Sequence, residues 1–312
     1  MAISLKPIDG QAMVITGASS GIGLATAEAA ARAGARVVLT ARNSEALAKA
    51  TEQINNAGGT AVYAPADVAN RAELQRVADV AIDRFGGFDT WVNNAGVSIW
   101  GRLQEVSEAD GRRLFETNFW GAVNGSLIAL RHLKQHGGAL INMGSVGSDI
   151  ALPMQGMYSA SKHALKGFTD ALRIELEEED APVAVTLVKP ASIDTPLPQH
   201  ARNYTARESK LPAPVYPPEE VARAVLYAAV HAPRDLYVGG GGRVATAMRA
   251  AAPSVSDWTA ANILAEQSLL TSRPMILRGA CTGPKAALKP MARIRGMWRP
   301  SAFTHAPPCT PS

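Results

Sequence analysis

Short apolar runs alternate with helix-like spacings over the first 240 residues. Met13-Val14-Ile15-Thr16 is a compact apolar run that ends in a glycine. Ile22 to Ala33 follows it as an alanine-rich helical stretch. The same alternation predicts strands at Arg36–Thr40, Thr60–Tyr63, Thr90–Asn93, Ala139–Met143, Val183–Val188 and Asp235–Val238. Between them, helical spacing covers Ser44–Asn56, Arg71–Phe85, a long stretch from about Ser107 to His136, Tyr158–Glu178 and Pro218–Val230. Nearly continuous apolar strands that take turns with helices predict an α/β fold, a Rossmann-type doubly wound parallel sheet covered on both faces.

Two segments break the rhythm. Asp194 to Pro218 is proline-rich and too irregular for a regular element, and loops of that length are usually lids or binding loops. Beyond Ser272, proline, glycine and basic residues replace the helical periodicity. The expected division is a dinucleotide-binding and catalytic domain over 1–250, a helical extension over 251–272, and a disordered tail over 273–312.

Composition sharpens this reading at one point. The 312 residues are 47% hydrophobic and 19% charged, as in an ordinary globular protein. The net charge of +4 is misleading, because seven Lys or Arg and no acid lie from Arg273 onward. That leaves 24 basic and 27 acidic residues in 1–272, a net of −3. The mildly acidic body argues against nucleic acid as a partner, and the tail is expected to be solvated. Both cysteines, Cys281 and Cys309, lie in the tail, so no disulfide framework is expected in the core. No apolar run approaches the roughly 18 residues of a transmembrane helix, and Met1–Gly10 lacks the apolar core of a secretory signal. A cytoplasmic location is expected. No metal site is expected.

Tyr158-Ser159-Ala160-Ser161-Lys162 carries the candidate chemistry. A lysine four residues on shares the tyrosine's helix face, and its charge favours the phenolate. Such a pair can protonate a carbonyl oxygen or deprotonate an alcohol. Alone, the spacing equally describes an exposed aromatic beside a solvated lysine. Thr16-Gly17-Ala18-Ser19-Ser20-Gly21-Ile22-Gly23 lies between the first strand and the first helix. There glycines permit a tight turn, and the helix N-terminus offers N–H groups to a pyrophosphate.

With these motifs, Asp67, Asn93-Asn94-Ala95-Gly96 and Ser145 after the fifth strand complete a set spread over residues 10–240. The chain resembles a classical short-chain dehydrogenase/reductase. The resemblance implies that Gly17, Gly21 and Gly23 form the pyrophosphate turn, with a backbone contact at Ile22. Ser19 and Ser20 donate to phosphate or cap the helix. Asp67 binds the adenine amino group or caps the third helix. Asn94 braces the central strand, while Ala95 and Gly96 give the adenosine room. Val68, Pro190 and Ile193 are further cofactor-binding candidates, and Thr195 contacts the nicotinamide amide, although Ala191 stands where the family usually has glycine. Tyr158 is the implied acid/base and Lys162 its partner, also bonded to the nicotinamide ribose. Ser145 holds the substrate oxygen. Asn118 holds a water in a proton relay or simply kinks its helix.

The second strand ends Leu39-Thr40-Ala41-Arg42 without the acid that accepts from a ribose 2′-hydroxyl. Arg42 could pair with a 2′-phosphate, so NADP(H) is favoured over NAD(H). Alternatively, Arg42 is a solvated residue at a helix start. Ser98, Ile99, Trp100, Val146, Gly147, Pro153, Met154 and Met157 are expected to line a mostly apolar pocket. Ser145, Tyr158, Trp100 and Met154 are its substrate-binding candidates. The expected reaction interconverts a hydrophobic ketone and a secondary alcohol in a homodimer or homotetramer. The alternatives are an NAD(H)-dependent alcohol dehydrogenase of the same family and a non-catalytic nucleotide-binding regulator on this fold.

Overall fold

Every apolar run named above becomes a strand. The computed structural model describes residues 3–264. Its principal elements are β1 (Ala12–Thr16), α1 (Gly21–Arg32), β2 (Arg36–Thr40), α2 (Ser44–Asn56), β3 (Thr60–Tyr63), α3 (Arg71–Phe85) and β4 (Thr90–Asn93). There follow α4 (Glu108–Phe115), α5 (Gly121–His136), β5 (Gly138–Met143), α6 (Gly156–Glu178), β6 (Val183–Pro190), α7 (Pro218–His231) and β7 (Asp235–Val238). Two helices, α8 (Gly240–Ala251) and α9 (Pro253–Thr259), and a π-helical turn over Ala260–Leu264 close the described chain.

The seven strands form one parallel sheet in the order β7-β6-β5-β4-β1-β2-β3. Side chains of a strand alternate between its faces. In β1, Met13 and Ile15 pack with Ala27, Leu47 and Val225 from α1, α2 and α7. Ala12 and Val14 pack with Leu74, Leu133 and Leu172 from α3, α5 and α6. With both faces covered, the strands have no polar side to show, which is why they read as unbroken apolar runs.

The chain leaves β1 toward β2 and β3, then returns to place β4 on the other flank of β1. Ligands of open α/β sheets bind beyond the carboxyl ends of the strands at such a reversal. The glycine turn follows β1 there, and Asn94 follows β4.

The predicted helix over 107–136 is not continuous. A π-helical turn over Glu116–Trp120 separates α4 from α5. The 194–218 segment is more regular than its composition suggests. It holds a helical turn at Leu197–His200, and Arg202–Asn203 pair with Ile99–Trp100 while Val215–Tyr216 pair with Ser192–Ile193. Helical structure starts at Gly240, ahead of the expected 251–272 extension, and continues to Leu264. The rest of that extension and the basic tail lie outside the described residues. Among the described residues no helix is long and apolar enough to cross a membrane.

Candidate active site

At the strand reversal, Thr16 at the end of β1 locks the two neighbouring loops together. Its hydroxyl accepts the N–H of Asn94 at 2.9 Å and of Ala95 at 3.0 Å, and donates to the Val92 carbonyl at 3.2 Å. The Asn94 amide donates to the Thr16 carbonyl at 2.8 Å. Gly17 and Gly21 adopt φ of 69° and 52°, which favours glycine. A Cβ on Gly23 would lie 2.2 Å from the Gly17 carbonyl oxygen, so α1 seats directly on the turn. Ser20 precedes α1 without a side-chain cap. The first hydrogen bond of the helix runs from Leu24 N–H to the Ser20 carbonyl at 3.3 Å, which leaves the N–H groups of Gly21 and Ile22 free among the described residues. A turn with room for backbone approach and open donors at a helix N-terminus fits a dinucleotide pyrophosphate.

A cleft of about 580 Å³ opens over this turn. Its nucleotide end is lined by Gly17, Ser19, Ser20, Gly21, Ile22, Arg42, Asp67, Val68, Asn94, Ala95 and Gly96. Pro190, Ile193 and Thr195 border its middle. Gly23 and Asn118 lie behind the lining, because Gly23 packs helix against turn and Asn118 is only 1% exposed. Arg42 is exposed, with no ion pair or hydrogen bond among the described residues. Asp67 forms an ion pair with Arg113 of α4. The cap of α3 is Asn70, whose side chain accepts from Ala72 and Glu73, so the capping alternative for Asp67 does not hold.

The reactive groups meet at the other end. Tyr158 and Lys162 sit one turn apart near the start of α6, with Lys162 Nζ 5.7 Å from the tyrosine ring centre. Lys162 is buried and donates to the Met143 carbonyl at the end of β5, at 2.7 Å. Ser145 follows two residues later, where its hydroxyl accepts the Gly147 N–H at 3.0 Å. Asn118 lies in the π turn; its side-chain oxygen accepts Val97 N–H at 2.8 Å and its amide donates to the Val97 carbonyl at 2.9 Å and to Ser161 at 3.1 Å. The widened turn thus presents a buried asparagine to the β4–α4 loop.

Charge does not follow the simplest expectation for the pair. Desolvation pushes the Tyr158 phenol above its ordinary pKa, and Ser145 beside it pulls in the other direction. Burial also draws the Lys162 ammonium down from 10.5 to about 8. Burial dominates both groups, so the phenol stands above its ordinary range with the lysine one turn away.

This has a consequence for stability. Between about pH 8 and 10 the native chain binds fewer protons at Lys162 than the unfolded chain does. Its contribution to stability therefore rises with pH in that window, and the burial penalty, about 3 kcal/mol, is full below it. Lys162→Met is expected to raise the melting temperature by a few degrees at pH 7, and the advantage should vanish by pH 10. Thermal melts of both chains across that range check this, and a lower melting temperature at pH 7 contradicts it.

The predicted pocket needs two changes. Met154 is not among the lining residues; it adopts φ of 61°, and its carbonyl accepts Gly101 N–H at 2.8 Å. Ser98, Ile99, Gly147 and Met157 are likewise absent from the lining, whereas Trp100, Val146 and Pro153 belong to it. The 194–218 loop adds Leu197, His200, Leu211 and Pro212, which sequence reasoning did not name. The apolar leucines and prolines of that loop were the available signal.

A glycine-turn nucleotide cleft at the switch point of a doubly wound sheet, with a tyrosine, serine and lysine at one end, defines a nucleotide-binding oxidoreductase. The family model of the short chain dehydrogenases matches residues 11–205, and the chain belongs to that family. It is 45% identical over 258 residues to the uncharacterized oxidoreductase YxnA of Bacillus subtilis (strain 168), covering 82% of this chain and 72% of that protein. It is 32% identical over 265 residues to 11-beta-hydroxysteroid dehydrogenase A of Sesamum indicum, covering 81% of this chain and 75% of that one. A solved short chain dehydrogenase/reductase of Burkholderia phymatum in complex with NAD matches with a TM-score of 0.73 at 26% identity, over 80% of this chain and 96% of that chain. The chain is thus an NAD(P)-binding oxidoreductase acting on CH–OH and C=O groups.

Proposed function

We propose that this chain interconverts a hydrophobic ketone and a secondary alcohol with NADP(H), using Tyr158 as general acid and base. The convergence of Tyr158, Ser145 and Lys162 at one end of the cleft carries this reading. The nicotinamide supplies or accepts the hydride when bound. Gly17, Gly21 and Ile22 would hold its pyrophosphate through backbone N–H groups, with Ser19 and Ser20 beside them. Asp67 and Val68 would border the adenine, Gly23 keeps the turn tight, and Thr195 with Pro190 and Ile193 would border the nicotinamide.

At the reacting end, Tyr158 Oη gives its proton to the carbonyl oxygen in reduction and takes it from the alcohol in oxidation. The Ser145 hydroxyl donates to the same oxygen as negative charge grows there. Asn118 pins the β4–α4 loop at Val97 behind the pair and supports the proton route. Trp100, Val146, Leu152 and Pro153 with the leucines of the 194–218 loop favour a bulky apolar substrate. Similarity to a protein named for hydroxysteroids agrees with an alicyclic one. Exposed Trp120 in the π turn, Leu127 on α5 and Ile174 on α6 support a homo-oligomer.

The preference for NADP(H) rests on Arg42, which has no carboxylate partner among the described residues and borders the nucleotide end. Arg42→Ala is expected to weaken NADPH binding at least about tenfold, the loss of one charge-assisted contact, and to change NADH binding less than about twofold. Fluorescence titration of both nucleotides measures this, and unchanged NADPH affinity contradicts it. The function itself is tested by following NADPH oxidation against a panel of aliphatic, alicyclic and aromatic ketones. Turnover of the apolar members supports it; nucleotide binding with no turnover of any carbonyl or alcohol favours a regulator.

A further inference from the structure

Lys189 is a charged residue buried inside the sheet that the chemistry above does not use. It lies in β6 and is 2% exposed. Its Nζ is 3.0 Å from Asp149 Oδ2, 3.1 Å from Asp235 Oδ2 and 3.3 Å from Tyr237 Oη. Tyr237 in turn donates to Asp149 Oδ2 at 2.9 Å. A buried ammonium persists only where such partners replace its water.

The two carboxylates lead to different places. Asp235, at the start of β7, also meets Arg173 of α6, which joins Asp170 and so reaches a charged surface network with Arg234. Asp149 leads inward. It follows directly on the 3-10 turn Val146–Ser148, and its N–H donates to the Val146 carbonyl at 3.1 Å. Ser145 opens that turn: Ser148 Oγ accepts its N–H at 3.2 Å, while its own hydroxyl accepts Gly147 N–H. At the near end, Gly144 N–H donates to the Val188 carbonyl at 2.8 Å. The Ser145 turn is therefore fastened at both ends to consecutive residues of β6, by the backbone at Val188 and by the side chain at Lys189.

We propose that Lys189, acting through Asp149, is a positioning residue for Ser145, holding the turn so that the serine hydroxyl stays beside Tyr158. This rests on the reading of Ser145 as the group that holds the substrate oxygen. Without the Lys189 arm the turn keeps its bond at Gly144 and the Tyr237 hydrogen bond to Asp149, and loses the charged half of its far anchor. A small displacement of a preorganised donor is costly to the transition state and nearly neutral to nucleotide binding. A merely structural ion pair would act on stability through either carboxylate alike.

The test compares Lys189→Met, Asp149→Asn and Asp235→Asn with the native full chain, using NADPH and an alicyclic ketone that the native chain reduces. Asp149→Asn and Lys189→Met are expected to lower kcat at least about tenfold, with KM and NADPH affinity within about threefold. Hydrogen exchange at the amides of 145–149 should quicken at least about tenfold in both. Asp235→Asn, which removes only the outward arm, should leave kcat and this exchange within about twofold while lowering the melting temperature. Lys189→Met leaves two carboxylates facing each other; where it does not fold, the two aspartate variants carry the test. Equal effects of the two aspartate variants on kcat, or unchanged exchange at 145–149 in Asp149→Asn, overturn the proposal. Ser145→Ala separates the two readings. Native-like turnover in that variant removes the role of Ser145, and the exchange measurement still decides whether Lys189 holds the turn.

Discussion

Tyr158→Phe is expected to lower kcat by about 10³-fold while nucleotide affinity stays within about twofold. The substitution keeps the ring in its place at the start of α6 and removes only the hydroxyl. A proton transfer of that size corresponds to about 4 kcal/mol of barrier. The pH dependence follows from the raised phenol. At neutral pH the group is in its acid form, ready to protonate a carbonyl oxygen, whereas alcohol oxidation needs the phenolate. Oxidation should therefore speed up as pH rises above neutrality, and reduction should not gain. Steady-state rates in both directions across pH, for the native chain and the variant, read this directly. A variant that keeps the native rate, or an oxidation rate indifferent to pH, contradicts Tyr158 as the acid/base.

Gly23→Ala carries the largest expected effect away from the reacting groups. The added methyl would sit 2.2 Å from the Gly17 carbonyl oxygen and 2.6 Å from the Asn94 amide. Both neighbours are fixed, because Gly17 belongs to the turn and Asn94 is bonded to Thr16. Backbone must move, at a cost of about 3 kcal/mol. For a domain of this size that lowers the melting temperature by roughly 6–12 °C. Nucleotide affinity should fall more than about tenfold, because the same shift displaces the N–H groups of Gly21 and Ile22. Gly167→Ala is the control: its Cβ meets nothing within 4 Å on α6, and alanine should stabilise the helix by about 1 kcal/mol. Calorimetry and nucleotide titration of the two variants decide. A Gly23→Ala chain that melts and binds like the native one would remove the close seating of α1 on the turn.

The seven strands were legible because both faces of the sheet are covered, which forces each strand into an apolar run such as Val183–Val188. The glycine turn was legible because close approach of α1 leaves no alternative to glycine at Gly23. The π turn at Glu116–Trp120 was hidden, since apolar spacing continues through it and one extra residue per turn leaves no compositional mark. Asp67 and Asn70 both suit a helix cap, and only three-dimensional placement assigns the cap to Asn70. Met154 stands between Pro153 and Gln155, which do line the cleft, but a left-handed backbone at one residue is not visible in a pattern of polarity. The pairing of Tyr158 with Lys162 was read correctly as a shared helix face. The raised phenol was hidden, because burial depends on the surrounding elements and the spacing carries no record of them.

Hydride transfer with proton exchange at oxygen is the central claim, and isotope placement tests it most directly. The native chain would be given NADPH carrying deuterium at the transferable position of the nicotinamide, together with an apolar ketone, and the alcohol analysed by mass spectrometry and NMR. One deuterium at the carbinol carbon, with none delivered there from deuterated water, is the predicted result. A carbinol hydrogen drawn from solvent, or no alcohol formed while NADPH binds, would contradict it.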